Sequence, residues 1–170
     1  YMRVISLYYP VSLLYFFIAF SCYAYLAAGK IGFKTFWINI IPPSLTALAT
    51  GSSVATIPSN LQAADKIGIP KDIRDVVIPI GSTIHMEGSY LAAVLKISLL
   101  FGLFQMNFSG VGTIVIAIGI ALLAGTVMAG IPGGGFIGEL LIVTLYGFPP
   151  EVLPILFIIG ILVDPPATMV

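Results

Sequence analysis

Long apolar stretches alternate with short polar or glycine-rich interruptions along the chain. The first is uncharged from residue 4 to residue 29, and an apolar helix needs about 20 residues to cross a membrane. Two further stretches, 76–104 and 152–170, are similarly apolar, and we expect DPPAT at 164–168 to interrupt the second of them. The pattern predicts membrane-spanning helices at 1–29 and 76–104, and the start of another at 152–170.

Two other stretches are too short for two membrane crossings and have polar middles. Residues 36–64 contain GSSVAT, and residues 112–147 contain AGIPGGG. Five of the seven basic residues flank the first stretch, which places both of its ends in the cytoplasm, whereas no basic residue follows the second. We therefore predict an all-α membrane protein with transmembrane helices and two re-entrant helical hairpins of opposite orientation.

Helices and hairpins that recur in inverted orientation are typical of secondary transporters, whose binding sites lie at mid-membrane where helices break. Irregular backbone at that depth is stable only where protein or a water-filled cavity covers it. The free N–H and C=O groups at the two hairpin tips are suited to binding ions and carboxylates. The alternative for the glycines is close helix packing, which needs no ligand.

The composition supports the membrane prediction and excludes other classes. The chain is 59% hydrophobic and 8% charged, whereas about a quarter of a soluble domain is charged. We expect a multi-pass protein of the inner or plasma membrane, and a fragment of a longer chain because both ends lie in apolar sequence. The zero net charge argues against a nucleic-acid partner. Cys22 is alone, which predicts neither a disulfide nor a zinc site, and no organic cofactor is expected.

The segment IHMEGSYL at 84–91 places two ionisable residues inside an apolar helix. His85 and Glu87 are two positions apart and would point in different directions on a regular helix. Only an unwound segment lets both serve one site, and Gly88 would permit the unwinding. Glu87 then offers oxygen ligands to sodium, or the pair carries a proton, since histidine titrates near neutral pH. The third alternative is a structural His85 that donates to a backbone carbonyl in a tight core beside a protonated Glu87.

Four motifs in order resemble those of the dicarboxylate/amino acid:cation symporters, the glutamate transporter family. GSSVATIP at 51–58 is similar to the serine-rich tip of the first hairpin, SSSGTxP, and IHMEGS at 84–89 to the seventh-helix motif NMDGT. AGIPGGG at 129–135 resembles AGxPGAG of the second hairpin, and VDPPATMV at 163–170 resembles LDxxRTxxN of the eighth helix. The resemblance covers nearly the whole chain and implies part of a transport domain.

The resemblance implies a symporter of an amino acid or dicarboxylate-like solute, driven by sodium or by protons. Substrate would bind between the hairpin tips and the unwound seventh helix, and the domain would slide against a homotrimeric scaffold like an elevator. It implies these substrate-binding residues: Ser52, Ser53, Thr56, Ser89, Gly130, Ile131, Gly135, Asp164, Ala167 and Thr168. It implies these sodium ligands, several through backbone oxygen: Thr83, His85, Glu87, Gly125, Thr126 and Met128.

Individual residues qualify that picture. In the family, the residue matching Asp164 pairs with the substrate ammonium, whereas the alternative is a hydrated carboxylate at a helix break. Ala167 stands where members that carry acidic substrates have an arginine, so a neutral amino acid is favoured. At the first tip, the alternative role of Ser52 and Thr56 is to cap the turn. His85, Glu87 and Ser89 replace the asparagine, aspartate and threonine of NMDGT.

Two other functions and one other contact remain as alternatives. The same scaffold would suit a receptor or channel that does not transport. An intramembrane hydrolase would need Ser53, His85 and Asp164 as a triad, although no G-x-S-x-G motif is present. Lys96 and Glu139 match no family motif, and they either form a buried ion pair or extend towards a membrane surface.

Overall fold

A computed structural model describes residues 2–127 and 134–170, and every regular element within them is helical. The helices are α1 (Met2–Asn39), α2 (Ile41–Thr50), α3 (Ser53–Ile67), α4 (Lys71–Ile84), α5 (Glu87–Leu103), α6 (Val111–Val127), α7 (Gly134–Tyr146), a 3-10 turn (Pro150–Val152) and α8 (Leu153–Met169).

Three helical stretches in the described part of the chain are long and apolar enough to cross a membrane. They are Val4–Asn39, Lys71–Leu103 and Pro150–Met169, judged by length and composition. The apolar helices α6 and α7 are shorter. An all-α membrane protein is therefore confirmed at this level.

Helix α1 bends back on itself at Ala28 and Gly29, whose backbone angles are not helical. The glycine adopts a φ of 59°, which side chains disfavour. Beyond the break, Trp37 donates from its indole N–H to the Ser21 hydroxyl over 3.1 Å. In a straight helix these residues would lie about 24 Å apart, so the last part of α1 folds against the middle of the helix.

Helices α2 and α3 form an antiparallel pair around a two-residue turn. Gly51 ends α2 in the left-handed conformation, with a φ of 57°, and its N–H binds the Ala47 carbonyl. Ser52 begins α3 as its N-cap. The two helices pack against each other, and their 10 and 15 residues are fewer than a full crossing requires. Such a pair fits a hairpin, and its entry into the membrane stays a prediction.

The segment between α4 and α5 is unwound at His85 and Met86, where the backbone leaves the helical region. The expected break is therefore present, but Gly88 does not form it. Gly88 is helical, buried in the first turn of α5, and a Cβ there would lie 2.2 Å from the carbonyl oxygen of Ala167. The glycine thus permits close contact between α5 and α8, and the proposed role in unwinding was wrong.

Helix α8 continues without interruption through Asp164, Pro165 and Pro166 to Met169. The expected interruption at DPPAT was therefore wrong. A proline at 166 has no N–H for the carbonyl of Leu162, four residues earlier. The Tyr9 hydroxyl of α1 donates to that carbonyl over 2.9 Å and supplies the missing hydrogen bond.

Helix α5 lies at the centre of the described helices. One side of it packs with α6 and α7 in a cluster that includes Ile97, Leu100 and Ile142. The other side packs with α1 and α8 around Ala92 and Val163. Helix α2 packs with α8 and α3 with α4, so the α2–α3 pair, the break before α5 and α8 are neighbours.

Candidate functional site

A cavity of about 1110 Å³ lies between the tip of the α2–α3 pair, the break before α5, the start of α7 and the end of α8. Most of the predicted substrate-binding residues form its wall. These are Ser52, Ser53, Thr56, Ser89, Gly135, Asp164, Ala167 and Thr168. The two others, Gly130 and Ile131, lie outside the described residues.

The three hydroxyl side chains of the first tip have different partners. The Ser52 hydroxyl oxygen accepts the N–H of Ala55 over 3.3 Å, and the buried Thr56 hydroxyl donates to the Ser52 carbonyl over 2.8 Å. The first contact caps α3, and the second ties its first turn to the cap residue, which fits the structural alternative. The Ser53 hydroxyl has no hydrogen-bond partner among the described residues, and it lines the cavity. The whole Ser53 hydroxyl is therefore available to a ligand, and the Ser52 hydroxyl can still donate its proton.

Asp164 presents its carboxylate in the cavity wall on an exposed part of α8. A Cβ built on Gly51 would lie 3.7 Å from the Cβ of Asp164, so the tip backbone and this side chain are neighbours. The carboxylate accepts no hydrogen bond from any residue in the described part of the chain. It is thus an acceptor without a bound donor, next to the tip that carries Ser53.

Ala167 contributes only a methyl group to the cavity, three residues after Asp164. Its backbone is pressed against Gly88 of α5. The buried Tyr8 hydroxyl of α1 donates to the Gly88 carbonyl over 2.9 Å. This side of the cavity is therefore held by contacts among α1, α5 and α8, and position 167 offers no donor to an acidic group.

His85 and Glu87 meet at the break before α5. His85 Nδ1 lies 2.5 Å from Glu87 Oε2, although Glu87 Oε2 is buried without a contact of hydrogen-bond geometry. The His85 side chain is 46% exposed and lines the cavity, with the Phe20 ring 6.4 Å away. A structural histidine in a tight core is therefore wrong. The unwound backbone brings the two side chains together, as the sequence predicted.

The remaining candidate sodium ligands are bonded within their own helices or packed against a ring. The hydroxyls of Thr83 and Thr126 donate to the carbonyls of Ile80 and Leu122. A Cβ on Gly125 would lie 2.1 Å from the ring of Tyr90. Met128 is outside the described residues. Among residues 2–127 and 134–170 no three His, Cys, Asp or Glu side chains are placed to hold a metal ion.

Lys96 and Glu139 form a buried ion pair, which settles the choice left open by the sequence. Lys96 Nζ donates to Glu139 Oε1 over 2.6 Å, and each side chain is 2% exposed. Neither residue extends to a membrane surface. Glu139 also lines the cavity, which the sequence analysis missed. The signal was a lone acid four residues after the glycines of the second predicted tip.

Comparisons with known proteins agree with these features. The family model of the Sodium:dicarboxylate symporter family matches residues 1–170. The chain is 33% identical to excitatory amino acid transporter 2 of Mus musculus over 135 residues, which are 76% of the chain and 23% of the relative. It is 30% identical to neutral amino acid transporter A of Homo sapiens over 139 residues, 79% of the chain and 25% of the relative.

A bacterial relative shows a comparable sequence identity to the chain. The chain is 30% identical to the serine/threonine transporter SstT of Bifidobacterium adolescentis over 124 residues, 71% of the chain and 29% of the relative. The chain thus spans roughly a quarter of the length of these curated relatives. The names of these relatives refer to excitatory amino acids, to neutral amino acids, and to serine and threonine.

Proposed function

Because the chain belongs to the sodium:dicarboxylate symporter family, we propose that it forms part of the transport domain of a cation-coupled symporter for a small neutral amino acid. The family and the relatives are transporters, so the hydrolase alternative is wrong and the chain is not an enzyme. The proposal depends above all on the unpaired Asp164 carboxylate beside the first tip.

The cavity is suited to the two charged groups that every free amino acid carries. The Asp164 carboxylate is available to the substrate ammonium by a charge-assisted hydrogen bond. The Ser53 hydroxyl and the N–H groups at the start of α3 are available to the substrate carboxylate, since a helix N-terminus favours negative charge. These two groups lie on neighbouring elements, which fits a single small molecule bound between them.

The side-chain end of the substrate would be neutral. An acidic side chain would require a fixed donor such as a guanidinium, and Ala167 offers only a methyl group. The names of two relatives, a neutral amino acid transporter and a serine/threonine transporter, are consistent with this preference. We propose neutral amino acids of the size of alanine, serine or threonine.

The transport step would use the surroundings that the family implies. The α2–α3 pair and residues 112–147 would act as re-entrant hairpins, the second of them as a gate over the substrate. The domain would move like an elevator against a scaffold in a homotrimer of the full-length protein, within the inner or plasma membrane. Apolar side chains that face outwards from the helices support contact with lipid or scaffold.

The coupling ion is proposed to be sodium, as the name of the family indicates. Glu87 would supply carboxylate oxygens for it. A second candidate, a proton, is favoured by the contact of His85 Nδ1 with Glu87 Oε2, because the imidazole stands where a bound cation would approach that oxygen. Backbone carbonyls near Gly125 and Met128 would bind a further sodium ion. Because these ligands belong to the backbone, the identities of the side chains say little about this site.

Uptake by the purified full-length protein in proteoliposomes tests the function. Labelled alanine, serine, threonine, aspartate and glutamate would be offered under an inward sodium gradient or an inward proton gradient. We expect neutral amino acids to accumulate under one of these gradients and the acidic ones to accumulate poorly. Binding without uptake under either gradient would instead support a receptor, and gradient-independent flux would support a channel.

The His85→Asn variant separates the two coupling ions. If the proton is coupled at this break, the substitution abolishes the pH dependence of serine affinity, because asparagine does not titrate. If sodium is coupled, the pH profile is unchanged and the sodium dependence remains. Gln105→Asn, in an exposed loop distant from the cavity, is the control for handling and reconstitution.

A further inference from the structure

The Lys96–Glu139 pair joins two helices at the edge of the cavity. Lys96 lies on α5 and Glu139 on α7, 43 positions later in the chain. Both are among the most deeply buried side chains of the described residues. An ion pair in such surroundings contributes little net stability, because each charge loses its hydration. A role other than stability is therefore worth seeking.

Helix α8 provides the space that the pair occupies. A Cβ on Gly160 would lie 2.7 Å from Glu139 Oε1 and 3.2 Å from Lys96 Nζ. The absence of a side chain at 160 leaves room for both charged groups in these positions. Three helices thus converge on the pair, and Asp164 follows Gly160 by four residues on α8, one helical turn away.

The charges close to this pair are unequal in number. Lys96 faces Glu139 directly, and Asp164 interacts electrostatically with both of them. Helix α6, which also packs against α7, carries no titratable side chain within Val111–Val127. From α1, the Tyr8 hydroxyl is close enough to interact with Asp164. The cluster therefore contains two carboxylates and one ammonium, and one negative charge remains without a counter-charge.

Glu139 reaches the cavity with one oxygen unused. Its Oε1 accepts the Lys96 hydrogen bond, whereas its Oε2 is buried without a partner among the described residues. Without Lys96, this acid would be a second site in the same wall for a proton or a free cation, since a buried carboxylate is stable only when paired or protonated.

We propose that Lys96 acts as a fixed internal cation of the binding cavity: it neutralises Glu139 and leaves Asp164 as the one uncompensated carboxylate for the substrate ammonium. Lys96 is then a positioning residue that sets how many positive charges the cavity takes from outside. The proposal rests on the proposed function, because it requires a substrate that carries an ammonium group.

The test measures the affinity of the purified full-length protein for L-serine by calorimetry, in three variants. In Glu139→Gln the Lys96 ammonium loses its partner and competes for Asp164, so we expect serine affinity to fall about tenfold or more. In the double variant Lys96→Met/Glu139→Gln both charges are gone, and affinity should return to within about threefold of the wild type.

The single variant Lys96→Met adds a readout that a purely structural pair would not give. At low pH, Glu139 takes up a proton and serine affinity stays close to that of the wild type at the same pH. As the pH rises, Glu139 ionises and adds a second uncompensated carboxylate to the cavity. The affinity of Lys96→Met for serine, divided by that of the wild type at the same pH, should therefore rise by about tenfold. That dependence should disappear in the double variant. Taking the ratio at each pH removes any contribution from His85.

The double variant Lys71→Met/Glu151→Gln is the matched control. It removes one lysine and one glutamate that are exposed and lie outside the cavity wall. Equal affinity losses in Glu139→Gln and in the double variant would overturn the proposal in favour of a structural ion pair. If Glu139→Gln does not fold, the Lys96→Met variant is sufficient. A ratio of its serine affinity to that of the wild type that does not depend on pH would overturn the proposal. A wild type that binds none of alanine, serine and threonine refutes the proposed function itself and removes the ammonium that the inference requires.

Discussion

Position 167 has the largest expected influence on which amino acids the cavity accepts. Its alanine methyl group lies in the wall, three residues from the free carboxylate of Asp164. A guanidinium there would reach into the same space and bind a carboxylate through two parallel hydrogen bonds. Substrate preference within one fold would then depend on a single side chain.

Replacing Ala167 with arginine should shift the preference from serine towards aspartate. A charge-assisted pair of this kind contributes about 1.5–3 kcal/mol, which corresponds to at least a tenfold change in the affinity ratio. Competition of aspartate and of serine with labelled serine measures the ratio in the full-length protein. Ala167→Met, of similar reach but without donors, is the control, and an equal shift in both variants would contradict the prediction.

Ionisable and polar residues could be proposed as site candidates from the sequence. Residues whose role depends on packing between helices could not. Spacing and residue type pointed to His85 and Glu87, and the unwound break at 85–86 follows from two acid–base residues that would otherwise diverge. Ser53 and Asp164 came from the resemblance to the family motifs. The position of Glu139 close to the second predicted tip was visible in the sequence, but the reach of its carboxylate into the cavity was not, because Gly160 on another helix leaves the room for it. Such contacts depend on tertiary packing, which local sequence does not encode.

Among the elements, α8 shows how a helix tolerates two consecutive prolines. The sequence favoured a break at DPPAT because a proline removes a backbone donor and disfavours helical structure before it. The sequence of α8 alone does not show that the Tyr9 hydroxyl of α1 replaces one of the lost donors. Helix α1 therefore stabilises α8 at the point where the prolines weaken it.

The Tyr9→Phe substitution should destabilise the protein by about 1–3 kcal/mol, because it leaves the Leu162 carbonyl without a donor. Thermal unfolding of the full-length protein in detergent would show a lower Tm than the wild type. Tyr25→Phe is the control, since Tyr25 is 54% exposed on the same helix. An unchanged Tm in Tyr9→Phe, or an equal fall in both variants, would argue that water or lipid satisfies the carbonyl.

At the scale of the whole molecule, the order of long and short apolar helices is the basis of the predicted membrane topology. The composition and the apolar pattern were sufficient to predict an all-α membrane protein, since three long apolar helices are present in the described residues. They did not predict that α1 folds back at Ala28 and Gly29, because the sequence continues to favour a helix on both sides. The re-entrant course of the hairpins stays a prediction.

Single cysteines on either side of the α2–α3 pair test that course. In a Cys22→Ser background, Lys30→Cys and Lys66→Cys should both react with an impermeant maleimide from the cytoplasmic side, because a re-entrant pair returns to the side it entered. Gln105→Cys should react from the outer side. All three positions are exposed in the described structure. Labelling of positions 30 and 66 from opposite sides would mean that the pair crosses the membrane.

Gly160 also bears on the order in which these three residues could have arisen. A side chain at 160 would push against the ends of the Glu139 and Lys96 side chains, so a substitution there disturbs the ion pair. Loss of either charged partner alone leaves the other buried without a counter-charge, at a cost of about 3–5 kcal/mol. A lineage in which the glycine preceded the charges would meet neither cost, and we expect the three positions to change together as sequences diverge.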